Sequence, residues 1–187
     1  MKQTIFTVIA LVSSIFISSF AIAKEKKEAV KSYEIAPGSQ IQIPKSWKFN
    51  TYFMPPDLSA TNIRIYTKGV TIAITGMYEL KGEDKTPEDL EKMLQQATLP
   101  YVQQSTEQSF TPVHFTTPTT IGVYTSYTAA NKSAGLRTLP NEISLKTTTA
   151  IVYKTGSIFS ISISLNKNNK AGLKNYQSAI DALSTIQ

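Results

Sequence analysis

His114 is the only histidine in this 187-residue chain, and the chain contains no cysteine. Nucleophilic triads need an imidazole held by a second group, and zinc sites need several histidine or cysteine ligands. A single histidine in a predicted loop or edge segment between Pro112 and Pro118 provides neither arrangement. We therefore interpret His114 as structural or incidental, and we predict no catalytic residue and no metal-binding residue.

The densest acidic cluster lies between residues 79 and 91, where three lysines are interleaved with the acids. Its acidic members are Glu79, Glu83, Asp84, Glu88, Asp89 and Glu91. Their spacing does not match a calcium-binding loop, and mixed charges of this kind are typical of a solvated helix start. Two carboxylates could catalyse glycoside hydrolysis, but the spacing singles out no pair. A carboxylate-dependent hydrolase is therefore the least favoured functional class.

An aromatic-rich segment offers the only candidate binding residues in the sequence. These residues are Trp47, Phe49, Tyr52 and Phe53. Aromatic rings can stack on a ligand, although rings beside strands more often pack in the core because they bury large areas. The chain has no glycine-rich phosphate loop and no GxSxG or HExxH motif, so we predict no cofactor and no enzyme.

The first 23 residues have the features of an export signal. Lys2 supplies a positive start, residues 5–20 form an apolar run, and Ala21-Ile22-Ala23 is a small-x-small cleavage site. Cleavage would leave a mature chain without a stable membrane anchor, and the absence of cysteine excludes a lipid-modified one. Retention as an anchor is the alternative, because residues 5–23 are nearly long enough to span a bilayer. The sequence thus predicts a periplasmic or secreted protein.

The charge and length of the mature chain limit its possible partners and its number of domains. The full sequence has a net charge of +6, and removal of Lys2 leaves 18 basic against 13 acidic residues. This mild excess favours anionic surfaces or acidic partner proteins over nucleic acid. The remaining length suffices for one hydrophobic core. We predict a flexible charged lead-in over residues 24–32 and a single domain over residues 33–187.

Residues 143–165 predict a long antiparallel hairpin. Phe159, Ile161 and Ile163 alternate with serines, which is the pattern of a strand with one buried and one wet face. A three-residue turn at 154–156 would use Gly156 in the left-handed region and would place Ile151 opposite Phe159.

A second predicted hairpin turns at Lys68-Gly69, because a two-residue turn sets Ile65 opposite Ile72. Shorter strands are predicted around residues 41–43, after a start of order near Tyr33, and around 121–127. Residues 131–140 are predicted to form a connector.

Two helices are predicted. Thr86 and Pro87 are typical of a helix start, and Pro100 predicts that this helix stops or kinks before Tyr101. A terminal amphipathic helix is predicted from about Asn169, with one apolar stripe. The stripe consists of Leu173, Tyr176, Ile180 and Leu183.

This order of elements resembles the PsbP-like α/β/α sandwich family, whose bacterial envelope members include DcrB-like proteins. Residues 41–47 (IQIPKSW) look like the strand and Pro-x-Gly-Trp-type segment common in that family, with Ser46 where glycine is usual. The resemblance spans residues 41–186. It implies an α+β fold, a single-domain α/β/α sandwich with a mainly antiparallel sheet and a C-terminal amphipathic helix. It also implies non-catalytic work as an assembly factor, chaperone or adaptor.

The functional hypothesis is an exported, non-catalytic protein that binds another envelope or exported protein through a sheet face or edge. An immunity-type role against an exported toxin is one version of it. The alternative is a small-ligand or lipid carrier that uses the aromatic residues between Trp47 and Met54 and a gap between helix and sheet.

Overall fold

The protein is described by a computed structural model, which describes residues 28–52, 60–78, 84–130, 136–139 and 142–187. Within these residues the chain forms eleven strands and two helices. They are β1 (Val30–Ala36), β2 (Ser39–Pro44), β3 (Lys48–Tyr52), β4 (Ala60–Thr67), β5 (Val70–Met77), α1 (Pro87–Gln103), β6 (Val113–Thr116), β7 (Ile121–Thr128), β8 (Leu136–Leu139), β9 (Glu142–Ser144), β10 (Lys146–Lys154), β11 (Ser157–Leu165) and α2 (Lys170–Leu183). The predicted signal segment and residues 24–27 of the charged lead-in lie outside the described residues.

Seven strands form one sheet in the order β3-β4-β5-β11-β10-β7-β6, and every neighbouring pair in it is antiparallel. Strands β1 and β2 form a separate ribbon, and β8 and β9 form another. Helix α2 and the β1–β2 ribbon pack on one face, called here the α2 face, while α1 packs over β7 and β10 on the opposite α1 face. The predicted α+β sandwich with a mainly antiparallel sheet is confirmed.

The long hairpin forms as predicted, but its predicted register is wrong. The turn contains only Thr155 and Gly156, so Ile151 lies opposite Ser160 and Val152 lies opposite Phe159. Gly156 adopts a positive φ of 73°. The prediction assumed one wet face, whereas β10 is buried on both. Ile151 packs on the α1 face, and Val152 joins the core on the α2 face.

The β4–β5 hairpin has the predicted two-residue turn, which pairs Ile65 with Ile72. Both isoleucines are buried, at 0% and 1% exposure, in the core of the α2 face. Gly69 takes a φ of 81° at the second turn position, where a side chain would be strained. The one-sided apolar pattern was sufficient here because the other face of β4 is covered by neither helix.

Helix α1 begins at the predicted cap. The Asp89 N–H donates to Thr86 Oγ1 at 3.2 Å, and the Thr86 N–H donates to Asp89 Oδ2 at 3.1 Å. The hydrogen bonds from Thr86 lower the pKa of the Asp89 carboxyl. The predicted stop before Tyr101 does not occur, since the helix continues past Pro100 to Gln103. Val102, which is 3% exposed in a small cluster on the α1 face, gains burial that offsets the hydrogen bond lost at proline.

Helix α2 begins after Asn169, whose side-chain oxygen accepts from the Gly172 N–H at 2.8 Å. Tyr176 and Leu183 of the predicted stripe are buried, whereas Leu173 is 49% exposed. Small residues complete the buried face instead. They are Gly172, Ala179 and Ala182. A small-residue face allows the helix axis to approach the sheet closely.

Gly172 is required where α2 starts against the preceding loop. A Cβ at this position would lie 2.1 Å from the Lys167 carbonyl oxygen, which is a backbone atom that cannot rotate away. In an exposed helix interior, alanine is better than glycine by about 1 kcal/mol. We expect Gly172→Ala to reverse that sign and to lower the free energy of unfolding by about 1–3 kcal/mol, as in other overpacked sites.

Urea unfolding followed by circular dichroism measures this effect. Gln177→Ala, at an exposed position of the same helix, should change the free energy of unfolding by less than about 0.5 kcal/mol. A Gly172→Ala variant as stable as the unaltered chain would contradict the close approach at the helix start.

Several strands lie in segments where the sequence did not predict them. Strand β1 begins at Val30, before the predicted start near Tyr33. Strand β6 forms the sheet edge that contains His114, and β8 lies within the predicted connector.

No helix formed by the described residues has the length and apolar character needed to span a membrane.

Candidate functional site

Part of the α1 face is not covered by α1, which lies over β7 and β10. Two rows of paired residues cross β3, β4, β5 and β11 there. All of their side chains are exposed or half-buried, and together they are called here the open face. The first row is Asn50, Arg64, Ala73 and Ser162, and the second is Tyr52, Asn62, Thr75 and Ser160.

Seven of these eight residues carry a hydroxyl, an amide or a guanidinium group, so the open face suits hydrogen bonding more than apolar packing. The opposite sides of the same strands are apolar, since Ile63, Ile74 and Ile161 are at most 1% exposed on the α2 face. The period of two along each strand therefore separates a dry face from a hydrogen-bonding face.

Arg64 and two tyrosines form the most distinctive cluster of the open face. The Arg64 guanidinium carbon lies 5.5 Å from the centre of the Tyr52 ring, within the range of a cation–π contact. The Tyr52 and Tyr66 hydroxyl oxygens are 3.3 Å apart. Tyr52 is 47% exposed, so the cluster faces solvent. Sequence reasoning missed Arg64 and Tyr66, although the predicted pairing of Ile65 with Ile72 already placed them together on the other face of β4.

The structure does not bring the four predicted aromatic residues into one surface. Trp47 is 3% exposed in the core of the α2 face, and Phe49 stacks on Tyr33 with ring centroids 4.5 Å apart. Tyr52 lies three positions after Phe49 on the same strand and therefore points to the opposite face. Phe53 lies outside the described residues. Trp47 and Phe49 thus pack as is usual for rings beside strands, and the predicted binding role of the aromatic segment stays a prediction.

His114 lies on the edge strand β6 and contacts α1. Its Nε2 atom is 2.8 Å from Glu91 Oε2, and the two side chains are 44% and 39% exposed. Within the described part of the chain, no other side chain is hydrogen-bonded to this pair. The arrangement links the sheet edge to α1, and within the described residues it lacks the hydroxyl nucleophile that a triad would place beside the histidine.

The acidic cluster is divided among separate structural contacts. Asp89 caps α1, Asp84 accepts from the Tyr153 hydroxyl at 2.6 Å, and Glu91 pairs with His114. Glu79 and Glu83 lie outside the described residues. Among the described residues, no three histidine, aspartate or glutamate side chains are grouped as metal ligands would be.

Two buried tyrosine hydroxyls form hydrogen bonds with β10, one from the sheet itself and one from α2. Tyr127 is 2.9 Å from Thr149 Oγ1 on the α1 face, and Tyr176 is 2.6 Å from Thr148 Oγ1 on the α2 face. Burial raises the pKa of Tyr127 to about 12 and that of Tyr176 to about 12. Both phenols therefore stay protonated at neutral pH and serve as structural hydrogen-bonding groups.

Two depressions flank the β-sheet. A groove of about 970 Å³ separates α2 from the β1–β2 ribbon, and none of the three described aromatic residues of the predicted set, Trp47, Phe49 and Tyr52, lines it. A depression of about 490 Å³ adjoins the open face at Tyr66. It is lined by Ser46, Lys48, Tyr66, Thr67, Lys68 and Asn175. The described lining of the second depression is therefore basic, since it includes two lysines and no acidic residue.

We compared the sequence and the architecture with those of known proteins. No protein-family model and no curated protein matches the sequence. The solution structure of cyanobacterial PsbP from Synechocystis sp. PCC 6803 is similar, with a TM-score of 0.50 and 9% sequence identity over 85% of this chain and 92% of that chain. At this identity the similarity concerns the fold, so the DcrB-like resemblance stays a prediction. The chain has a PsbP-like fold.

Proposed function

We propose that this protein is a non-catalytic accessory protein that binds a partner protein through the open face. The single observation behind the proposal is the contrast between the two halves of the α1 face. One half packs under α1, while the other presents seven hydrogen-bonding side chains on a rigid sheet. A surface of this kind can hold a partner in a defined orientation without any chemical step.

The composition of the open face agrees with a protein partner. Tyrosine and arginine are enriched at the residues that contribute most to protein–protein affinity, and Tyr52 with Arg64 forms such a pair. The serines of β11 add hydroxyl groups that can donate or accept, so they tolerate many partner backbones. The PsbP-like resemblance, which implies assembly, chaperone or adaptor work, supports the same class of function.

We further propose that the partner is an envelope or exported protein. The support is the export signal predicted over residues 1–23, with its positive start, apolar run and Ala-x-Ala end. The contacts of His114, Asp84, Asp89 and Glu91 are with other residues of the protein's own fold, which supports a binding role over catalysis.

Site-specific photo-crosslinking tests the proposal. A benzophenone amino acid replaces Ser160, an exposed residue at the β11 end of the second row of the open face, in the full chain produced in bacteria. We expect one discrete adduct with a second protein, because the probe would lie inside the interface. The matched control carries the same probe at Gln177, which is exposed on the outer side of α2. Equal adducts at both positions, or none at Ser160, would overturn the proposal.

A further inference from the structure

We propose that Arg64 anchors a carboxylate from an acidic segment of the partner protein, with Tyr52 and Tyr66 as the walls of that site. This inference rests on the proposed function, because it names the chemistry that the open face recognises. It adds a specific contact to what is otherwise a general hydrogen-bonding surface.

The geometry of Arg64 is suited to this contact. A guanidinium group presents a planar fork that matches a carboxylate with two parallel hydrogen bonds. Its position 5.5 Å from the Tyr52 ring centre restricts the side chain before binding, so less conformational freedom is lost on contact. Among the described residues no carboxylate pairs with Arg64. The ion pair identified within those residues joins His114 to Glu91. Within the described part of the chain, no acid therefore competes with an external carboxylate for the guanidinium.

The charged residues that the structure describes around Arg64 are basic. Lys48 pairs across the strands with Tyr66, and Lys48 and Lys68 both line the adjoining depression, whose described lining residues include no acid. The eight residues of the open face also include no acid. Together with the net charge of +6, this distribution would steer an acidic partner toward the face and disfavour a basic one.

A protein segment fits this surface better than an anionic membrane. Membrane-surface binding by charge uses clusters of about four to eight lysines and arginines, or an apolar helix face inserted among lipids. Among the described residues, Lys48 and Lys68 are the cations identified beside Arg64, and Ala73 is the one apolar residue in the two rows of the open face. Amide and hydroxyl groups between the cations instead provide directional hydrogen bonds to a shaped partner.

Fluorescence anisotropy with a labelled hexaglutamate peptide tests the inference on the full chain. Arg64→Gln should weaken hexaglutamate binding about tenfold, the effect of losing one charge-assisted hydrogen-bond pair. Arg64→Lys keeps the net charge but lacks the fork, so it should weaken binding by an intermediate factor. An uncharged hexaglutamine peptide should bind much more weakly to the unaltered chain.

Lys31→Gln is the matched control, because Lys31 also lies over a tyrosine ring, at 4.9 Å from the centre of Tyr33, but on the β1–β2 ribbon. It removes the same charge and should change hexaglutamate affinity less than about twofold. Equal losses in Arg64→Gln and Lys31→Gln, or no loss in either, would overturn the inference. Tighter Arg64-dependent binding to phosphatidylglycerol vesicles than to hexaglutamate would also overturn it, in favour of a membrane surface.

The two experiments distinguish failure of the proposed partner-binding function from failure of the proposed carboxylate anchor at Arg64. A discrete Ser160 adduct that forms equally well with Arg64→Gln would leave the partner-binding function standing and would remove the carboxylate anchor. Arg64-dependent hexaglutamate binding without any Ser160 adduct would remove the partner-binding function. Circular dichroism and thermal unfolding of each variant establish that the compared chains are folded.

Discussion

Between about pH 10 and pH 12 the protein is expected to lose about 3 kcal/mol of unfolding free energy for each of two buried tyrosines, Tyr127 and Tyr176. Burial raises the pKa of each phenol from 10.0 to about 12 in the folded chain. Tyr127 is 1% exposed and Tyr176 is 5% exposed, so neither phenolate can be hydrated without local opening. The combined loss is comparable to the whole stability of many domains.

The direction follows from which state holds the proton more tightly. An unfolded tyrosine releases its proton near pH 10, whereas the folded Tyr127 and Tyr176 retain theirs to about pH 12. Their contribution to stability is therefore complete below pH 10 and is lost as the pH rises through 12. Tyr153, whose pKa is raised by the hydrogen bond it donates to Asp84, lies nearer to solvent, where screening reduces its share.

Urea unfolding at a series of alkaline pH values measures the loss. Tyr127→Phe and Tyr176→Phe should each remove about half of the pH dependence, since phenylalanine cannot ionise. Each variant is also measured near neutral pH, which separates the lost hydrogen bond to Thr149 or Thr148 from the ionisation effect. Stability that falls equally steeply in all three chains would show that these tyrosines do not control the alkaline transition.

Phe159→Ala is expected to lower the free energy of unfolding by about 3–5 kcal/mol, the range measured for fully buried phenylalanines. Phe159 is 0% exposed on β11, the central strand of the seven-stranded sheet, and it belongs to the core of the α2 face. It faces Gly76 of β5 across the strands. A Cβ at Gly76 would lie 2.7 Å from the Phe159 ring, so the ring fills the space that this glycine leaves open.

Chemical denaturation with matched variants tests the assignment of faces on β11. Ser160→Ala alters the next residue on the open face and should change the free energy of unfolding by less than about 0.5 kcal/mol. Gly76→Ala should destabilise the unaltered chain but do so less in a Phe159→Ala background, because the clashing ring is gone. Similar losses of unfolding free energy for Phe159→Ala and Ser160→Ala would contradict the assignment of Phe159 to the buried face and of Ser160 to the open face.

Local patterns in the sequence predicted the elements whose formation depends on a few neighbouring residues. Three such features depend on residues that are close together in the sequence. They are the cap at Thr86, the turn at Lys68-Gly69 and the alternation of β11. The pairing of β4 with β5 was also predictable, since only one face of that hairpin is apolar. Backbone sterics and capping hydrogen bonds determine these features without distant contacts.

The structure differs from the predictions at residues whose burial depends on an element that is distant in the sequence. Ile151 was predicted on the same face as Phe159, but α1 supplies a second core for β10 from a segment about fifty residues earlier in the chain. Pro100 stays helical because Val102 is buried against Tyr127. The aromatic segment was read as one surface because Trp47, Phe49 and Tyr52 are close in sequence, yet strand alternation divides them between two faces.

By itself the sequence determined the fold class, the two helix starts, the position of both hairpins and the scarcity of catalytic side chains. Only the tertiary structure decided the register of β10 with β11, the burial of Trp47 and the meeting of Tyr52, Arg64 and Tyr66 on the open face. The physical reason is that local patterns are set by the conformational preferences of adjacent residues. Burial of a face depends on which remote segments pack there, and one strand's pattern does not record that choice.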